Sequence, residues 1–337
     1  MKSVGTASKL VVILISLHLL MPTVHSSAPV AAAGITTSVQ INENSSEDWA
    51  LTMGKSVSPA PSSLKTFSET VVKQLSEQEV FSSWTHSELQ YFPLGPGTHS
   101  WLVTVSRDQK ELGYLIFTAK NTNAQEYILS EYGTSPSAPY DLAALHQTLA
   151  ELDIISPSSS KKPYPTNIEP LYTPLLPLWK VSFGHQETLY LNALTMDVLP
   201  WDESHWKKLN QPTSELSDAR FSSKDEAVTS SQVVSHKGQK DPLDNLMWIT
   251  TTPLSVFSDL DVESYLNKHN SLIFTSPNRN DDVGGPFAIS GYQKWYSTQG
   301  GTHPMVYAGT GLTGQRYVPF SILLNKGVFH AFPSVAK

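Results

Sequence analysis

Hydrophobic positions between residues 62 and 200 follow two periods in turn. Leu64, Phe67, Val71, Val72 and Leu75 recur at spacings of three and four, which predicts a helix with one buried face. Ser62 or Ser63 stands where a side chain caps such a helix. The period then shortens to two. "SWLVTVS" (100–106) and "ELGYLIFTA" (111–119) flank the polar turn "RDQK", and "EYILSEYG" (126–133) follows "KNTNAQ". That pattern predicts an antiparallel meander. Helical spacing returns with Asp141 at a cap position and Leu142, Leu145, Leu149 and Leu152 on one stripe. Two more strands, "PLWKVSF" (177–183) and "TLYLNALTMDVLP" (188–200), are joined by "GHQE". Helix followed by antiparallel strands thus occurs twice, and residues 62–200 are expected to form a duplicated α+β unit with helices packed on one face of a sheet.

Residues 201–240 change character. Trp206 and Phe221 are the only aromatics after Trp201, and Ser, Thr, Lys, Asp and Gln dominate. This predicts an exposed linker, with some helix around "SKDEAVTSSQVV". Alternation resumes from 241. "NLMWITTTPLSVF" predicts a strand or two, "DLDVESYLNKHN" a short helix, and "SLIFTSP", "PFAISGYQKWYS", "HPMVYAGT", "QRYVPFSILL" and "GVFHAF" strands. The fold class read from these patterns is α+β, with antiparallel sheets, a few packed helices and two domains, 62–200 and 241–337.

Composition adds the compartment. Lys2 and Lys9 precede the apolar run "LVVILISLHLL" (10–20), and small residues follow in "HSSAPVAAAG". A charged start, a short apolar core and a small-residue end predict a secretory signal peptide over residues 1–33. The apolar run is too short to cross a bilayer core of about 30 Å, and no later stretch predicts a membrane span. Residues 34–61 are rich in Ser, Thr and Asn and are expected to form a mobile arm. The 337 residues include no cysteine, which removes disulfides and thiolate nucleophiles. A secreted, cysteine-free chain of this size fits a Gram-positive bacterium better than a eukaryotic lumen. The net charge of −7 provides no electrostatic case for nucleic acid.

The chemical motifs resolve mostly by exclusion. "GTGLTG" (309–314) has dinucleotide-loop spacing but lacks a following helix and a downstream acid, so it reads as a glycine-rich turn and no cofactor is expected. The histidines beyond the signal peptide are at least thirteen residues apart, so no sequence-local zinc motif exists. Asp281 and Asp282 with Asn278 and Asn280 read as a solvated loop rather than a calcium site. "SSLK" (62–65) and "SSSK" (158–161) match a Ser-x-x-Lys spacing of the sort that serine-rich stretches produce by chance.

Two family resemblances add to this reading. "LWKVSF", a short turn and "LYLNALTMDVLP" resemble the paired strands of PepSY modules, with Asn192 in place of the family's Asp and Met196 in place of its Gly. The resemblance implies a cystatin-like fold and a binding or regulatory role beside extracellular proteases. The order "SLIFTSP", loop, "PFAISGY", turn, "MVYAGT", "RYVPFSILL" resembles the β half of papain-fold peptidases of the bacteriocin-processing type. In that family a histidine begins the strand that ends in Gly-Tyr; here that place holds Gly285. The family's cysteine is missing from the chain, and no acid follows Asp282. The resemblance therefore implies a peptidase-like domain without its chemistry.

Residues 283–337 hold Lys294, Arg316, Lys326 and Lys337 and no acid, interleaved with Tyr292, Trp295, Tyr296, Tyr307 and Tyr317. Aromatics beside cations can build a recognition groove, and Tyr292, Trp295, Arg316 and Tyr317 are the candidate ligand-binding residues. Alternation along a strand has a second meaning, in which the aromatics build a core. No catalytic or metal-ligating residue is assigned. The leading expectation is a secreted, non-catalytic binding protein whose partner is a peptide, a protein or a cell-wall polymer. The alternatives are an extracellular hydrolase with a spatially assembled Asp/Glu/His site, and a structural protein of the envelope or spore surface.

Overall fold

The structure, a computed structural model, describes residues 39–40, 59–95, 99–120, 126–155, 165–173, 175–184, 187–209, 221–224, 228–256, 258, 261–276, 285–297 and 304–333. The signal-peptide reading, the Asp281–Asp282 loop and the "SSSK" stretch fall outside them. The class is the expected one, antiparallel sheets with packed helices. Among the described residues no helix is long and apolar enough to cross a membrane.

Helix α1 (Ser62–Ser76) buries Leu64, Phe67, Val71, Val72 and Leu75, the predicted stripe, together with Ser68. Pro61 holds the N-cap position, and neither Ser62 nor Ser63 caps the helix. A 3-10 helix, Glu79–Trp84, leads into β2 (Glu88–Leu94), a strand that the hydrophobic pattern did not reveal. β3 (Ser100–Arg107), β4 (Lys110–Ala119) and β5 (Tyr127–Thr134) complete the meander. Asp108 and Gln109 turn the β3–β4 hairpin with φ of 53° and 61°, the left-handed pair that a two-residue hairpin loop requires.

Helix α2 (Leu142–Glu151) is capped as expected: the Asp141 carboxylate accepts from the backbone N–H groups of Ala143 and Ala144. Leu142, Leu145 and Leu149 are buried, but Leu152 lies past the helix end and is 49% exposed. A smaller sheet follows, built from β6 (Asn167–Thr173), β7 (Leu176–Phe183), β8 (Glu187–Asn192) and β9 (Val198–Leu199). The expected strand 188–200 is broken at 193–195, where the chain turns back and Met196 takes φ of 61°. β1 (Val39–Gln40), inside the expected arm, pairs with β6 at the opposite edge.

The described residues of the stretch 201–240 do not form an exposed linker. They contain α3 (Glu203–Leu209), β10 (Val228–Ser230) and β11 (Val234–Ser235). Both β10 and β11 pair with β13 (Phe287–Ser297), and strand replaces the helix anticipated around residues 223–234. Trp206 and Phe221 are buried at 5% and 0% exposure. Two large aromatics anchor a polar stretch onto the sheets, since each removes far more apolar surface from water than the Ser and Thr around it expose.

The C-terminal part contributes α4 (Asp261–His269), β12 (Leu272–Thr275), β13, β14 (Met305–Thr310), β15 (Arg316–Pro319), helix α5 (Phe320–Lys326) and β16 (Val328–Ala331). "QRYVPFSILL" is therefore strand then helix: Pro319 lacks a ladder N–H and instead opens α5. "NLMWITTTPLSVF" forms a 3-10 helix, Leu246–Thr250, and an isolated bridge between Leu254 and Phe329. β15 pairs with β5 through Arg316–Gly133 and Tyr317–Tyr132. One sheet of eleven strands thus runs in the order β16-β12-β13-β14-β15-β5-β4-β3-β2, with β10 and β11 beside β13. It joins strands from both expected domains, and residues 31–337 form one unit.

Apolar side chains fill both faces of this sheet. α1, the 3-10 helix Glu79–Trp84 and Phe221 cover one face over β2–β5 and β13–β15. α2 and the smaller sheet cover the other face at Phe92, Leu102, Tyr114 and Ile116. α4 and α5 pack on β12–β16, and Trp201 and Trp206 close the outer face of the smaller sheet.

Candidate functional site

The four candidate ligand-binding residues do not meet at a surface. Trp295 is 0% exposed, Tyr317 1%, Tyr292 4% and Arg316 6%. Strand alternation divides them: Trp295 and Tyr317 join the apolar layer under α1, while Tyr292 lies in the layer with α4 and α5. The Lys294 ammonium sits 5.5 Å over the Tyr292 ring and 2.6 Å from the Glu263 carboxylate. Its charge is answered within the chain. Of the aromatics read from 292 to 317, Tyr292, Trp295, Tyr307 and Tyr317 are therefore core and Tyr296 alone is exposed, at 42%, so the four candidate residues do not form the recognition groove expected there.

Arg316 is the most heavily partnered of the four. Its Nε and Nη2 donate to Glu131 Oε1 and Oε2 at 3.2 and 2.8 Å, and Nη2 donates also to the Leu175 carbonyl at 3.0 Å. Tyr114 donates its hydroxyl to Glu131 Oε1 at 2.9 Å and Tyr172 to Oε2 at 3.2 Å. The bidentate fork leaves no strong acceptor site on the carboxylate unmatched. Burial and then the Glu131 charge hold the Tyr114 and Tyr172 phenols protonated, well above their ordinary range. Burial alone would weaken the Arg316 cation, and the adjacent Glu131 more than offsets that. On the opposite face Tyr132 donates to Gln293 Oε1 at 2.6 Å, and Trp295 Nε1 donates to the Tyr132 hydroxyl at 3.0 Å. Tyr132 stacks on Tyr317 with ring centroids 5.0 Å apart. Both networks sit where β5 meets β15, and both are structural joints.

An open groove of ≈ 810 Å³ lies elsewhere, between α1, the loop after the 3-10 helix and β2. α1 is locked onto the sheet by its buried stripe, and Ser68 Oγ sits 2.8 Å from the Tyr91 hydroxyl. The flank of the helix then presents Lys65, Glu69, Val72 and Lys73 to the groove. Trp84, Ser87, Leu89 and Tyr91 line the other side. Trp84 packs closely against β4 because residue 113 is glycine; a Cβ there would collide with the indole ring and with the Gly133 carbonyl. His86, between Trp84 and Ser87, takes φ of 59°.

Two polar atoms of the groove residues stand out. Trp84 is 1% exposed, and its indole Nε1 has no hydrogen-bond partner. Ser87 Oγ is likewise buried without a partner. Each such group costs about 1–3 kcal/mol when left unmatched. Burial and then the Glu69 charge raise the Tyr91 phenol above its ordinary value, so it remains a neutral hydroxyl at physiological pH. The groove supplies two lysines, one glutamate, an apolar floor and two unmatched polar groups. That set, with His86, Ser76 and Thr85 also on the lining, can hold a ligand with acceptor oxygens and negative charge.

Sequence reasoning missed this site because it missed β2. "ELQYFPL" carries adjacent apolar residues and a proline, which obscure the two-residue period. The proline was itself a usable signal, since strand prolines concentrate at sheet edges.

Other motifs resolve in place. Gly285 enters β13 with φ of 117°, a backbone conformation that a histidine rarely adopts. "GTGLTG" is the β14–β15 connection, turned by a bond from the Gly314 N–H to the Gly311 carbonyl at 3.0 Å. Among the described residues no three His, Asp or Glu side chains gather as metal ligands would. Comparison with family models, curated proteins and solved structures returned no match to this chain.

Proposed function

We propose that this chain is a secreted, non-catalytic binding protein that takes a peptide or protein segment into the groove between α1 and β2. The observation that carries this reading is an open groove of ≈ 810 Å³ lined by Lys65, Lys73, Glu69, Val72, Leu89 and Tyr91, beside which the buried Trp84 Nε1 and Ser87 Oγ have no partner. Binding sites combine apolar lining with a few placed polar groups, and the Lys65 and Lys73 ammonium groups beside Val72, Leu89 and Tyr91 supply that combination for a bound segment with carboxylates. The absence of cysteine from the chain and the glycine at position 285 support a role without peptidase chemistry.

A random dodecapeptide library passed over the immobilised chain tests the proposal. Retention by the native chain, loss on Val72→Trp, which fills the groove, and no release of new amino termini are the expected results. Failure of the native chain to retain any peptide would overturn it. So would turnover of bound peptides.

A further inference from the structure

Resting on that reading, the geometry points to how the segment is held: an extended, carboxylate-bearing peptide adds to the outer edge of β2 at Leu89 and Tyr91 as an antiparallel strand. β2 is the last strand of the eleven-stranded sheet, and among the described residues nothing pairs with its outer edge. An unpaired edge offers a row of backbone donors and acceptors to a further strand.

Pro93 sets which backbone groups face outward. Proline has no N–H, so within the β2–β3 ladder it belongs at a position whose N–H would point away from β3. Residues two and four places back share that orientation. The N–H and C=O of Tyr91 and Leu89 therefore point to the open edge. Their side chains lie on the α1 face of the sheet, in the layer that contains Phe67 and Val72, whereas Phe92 and Leu94 lie on the other face.

This parity dictates what an added strand presents. Residues directly opposite one another in an antiparallel pair project side chains to the same face. Peptide residues that exchange hydrogen bonds with Leu89 and Tyr91 thus direct their own side chains into the groove, toward Lys65, Lys73 and Trp84. Two ammonium groups against the single Glu69 carboxylate favour acidic side chains at those positions. The peptide residues between them face the opposite side and need only be extended-chain formers.

The probe is a fluorescein-labelled decapeptide of alternating Val and Glu, compared by anisotropy with a Val–Lys decapeptide. The Val–Glu probe is expected to bind at least tenfold tighter, with affinity falling as salt rises. Leu89→Pro is expected to lower its affinity at least tenfold while leaving the circular dichroism spectrum unchanged. N-methylation of the probe needs no change in the protein: methylating every Glu amide is expected to abolish binding, and methylating every Val amide to leave it. Equal loss from both, or the reverse parity, would overturn antiparallel addition at this edge. Binding lost on Val72→Trp but kept on Leu89→Pro would overturn the strand mode and leave the groove reading standing. Exchange protection of the Leu89 and Tyr91 amides without any probe would also overturn it, assigning the edge to the chain's own residues 41–58 if independent of protein concentration, or to a second copy if it rises with concentration.

Discussion

The joint between β5 and β15 and the groove beside β2 place polar groups in apolar surroundings in opposite ways. At the joint, Glu131 receives four hydrogen bonds from Arg316, Tyr114 and Tyr172, and Arg316 spends another on the Leu175 carbonyl. At the groove, Trp84 Nε1 and Ser87 Oγ have none. A buried group costs most when unmatched, so the matched set at the joint specifies one arrangement of the chain, whereas unmatched groups occur beside the groove and also in the core, where Trp179 Nε1 and Trp201 Nε1 have no partner. The difference teaches that charge in a sequence does not by itself mark a binding site. Arg316 looked like a recognition residue and is a rivet; the neutral Trp84 is the better candidate.

Removing the rivet is the strongest way to test that contrast. Arg316→Met leaves Glu131 buried with two phenols and no cation. It is expected to destabilise the fold by about 3–5 kcal/mol. Urea unfolding followed by tryptophan fluorescence measures this. The double variant Glu131→Gln/Arg316→Met is expected to regain a large part of the loss, because the uncompensated charge is gone; a double variant as unstable as the single would contradict the charge explanation.

A titratable case lies between the two regions. Glu111, on β4, is partly buried, and burial followed by the negative charge of Asp141 pushes its carboxyl up from 4.5 to about 7. The folded chain therefore binds more protons than the unfolded chain between those values, and stability falls as pH rises through that window. Glu111→Gln removes the charged form. Its stability gain is expected to reach the order of 2 kcal/mol at pH 8 and to vanish near pH 4. Thermal unfolding of both proteins at the two pH values decides it; a gain independent of pH would trace to packing instead.

The groove should respond in binding more than in stability. Trp84→Phe keeps most of the ring and deletes the unmatched N–H. Unfolding free energy is expected to move by less than about 1 kcal/mol, while affinity for the Val–Glu probe drops by about three- to tenfold. Ser87→Ala should produce the smallest change in affinity, roughly two- to threefold, and, because it deletes an unmatched hydroxyl, a gain in stability of about 1 kcal/mol. A large loss of stability in either variant would mean that these atoms do structural work, and the contrast with the joint would dissolve.

Local elements were legible wherever one face of a helix or strand was apolar and the other polar. The α1 stripe, the β3–β4–β5 meander, the Asp141 cap and the β7–β8 hairpin follow from side-chain period and capping chemistry, which act between residues close in the chain. Legibility failed at β2 and β6, where proline interrupts the period, and across 201–240, where Phe221 and the β10 and β11 contacts with β13 depend on partners far away in sequence. Of the candidate site, only the peptide-binding expectation was available early; every residue then named for it lies in the core.

By itself, then, the sequence determined the α+β class, the lack of thiol chemistry and most element positions, because periodicity, composition and capping are properties of neighbouring residues. The folded arrangement was needed to see that strands from two expected domains share one sheet, that Arg316 answers Glu131 across 185 residues, and that β2 ends the order of described strands beside α1. Strand order, burial of a charge and the place of a strand at a sheet's end are relations between distant segments, and only the folded chain brings those segments together.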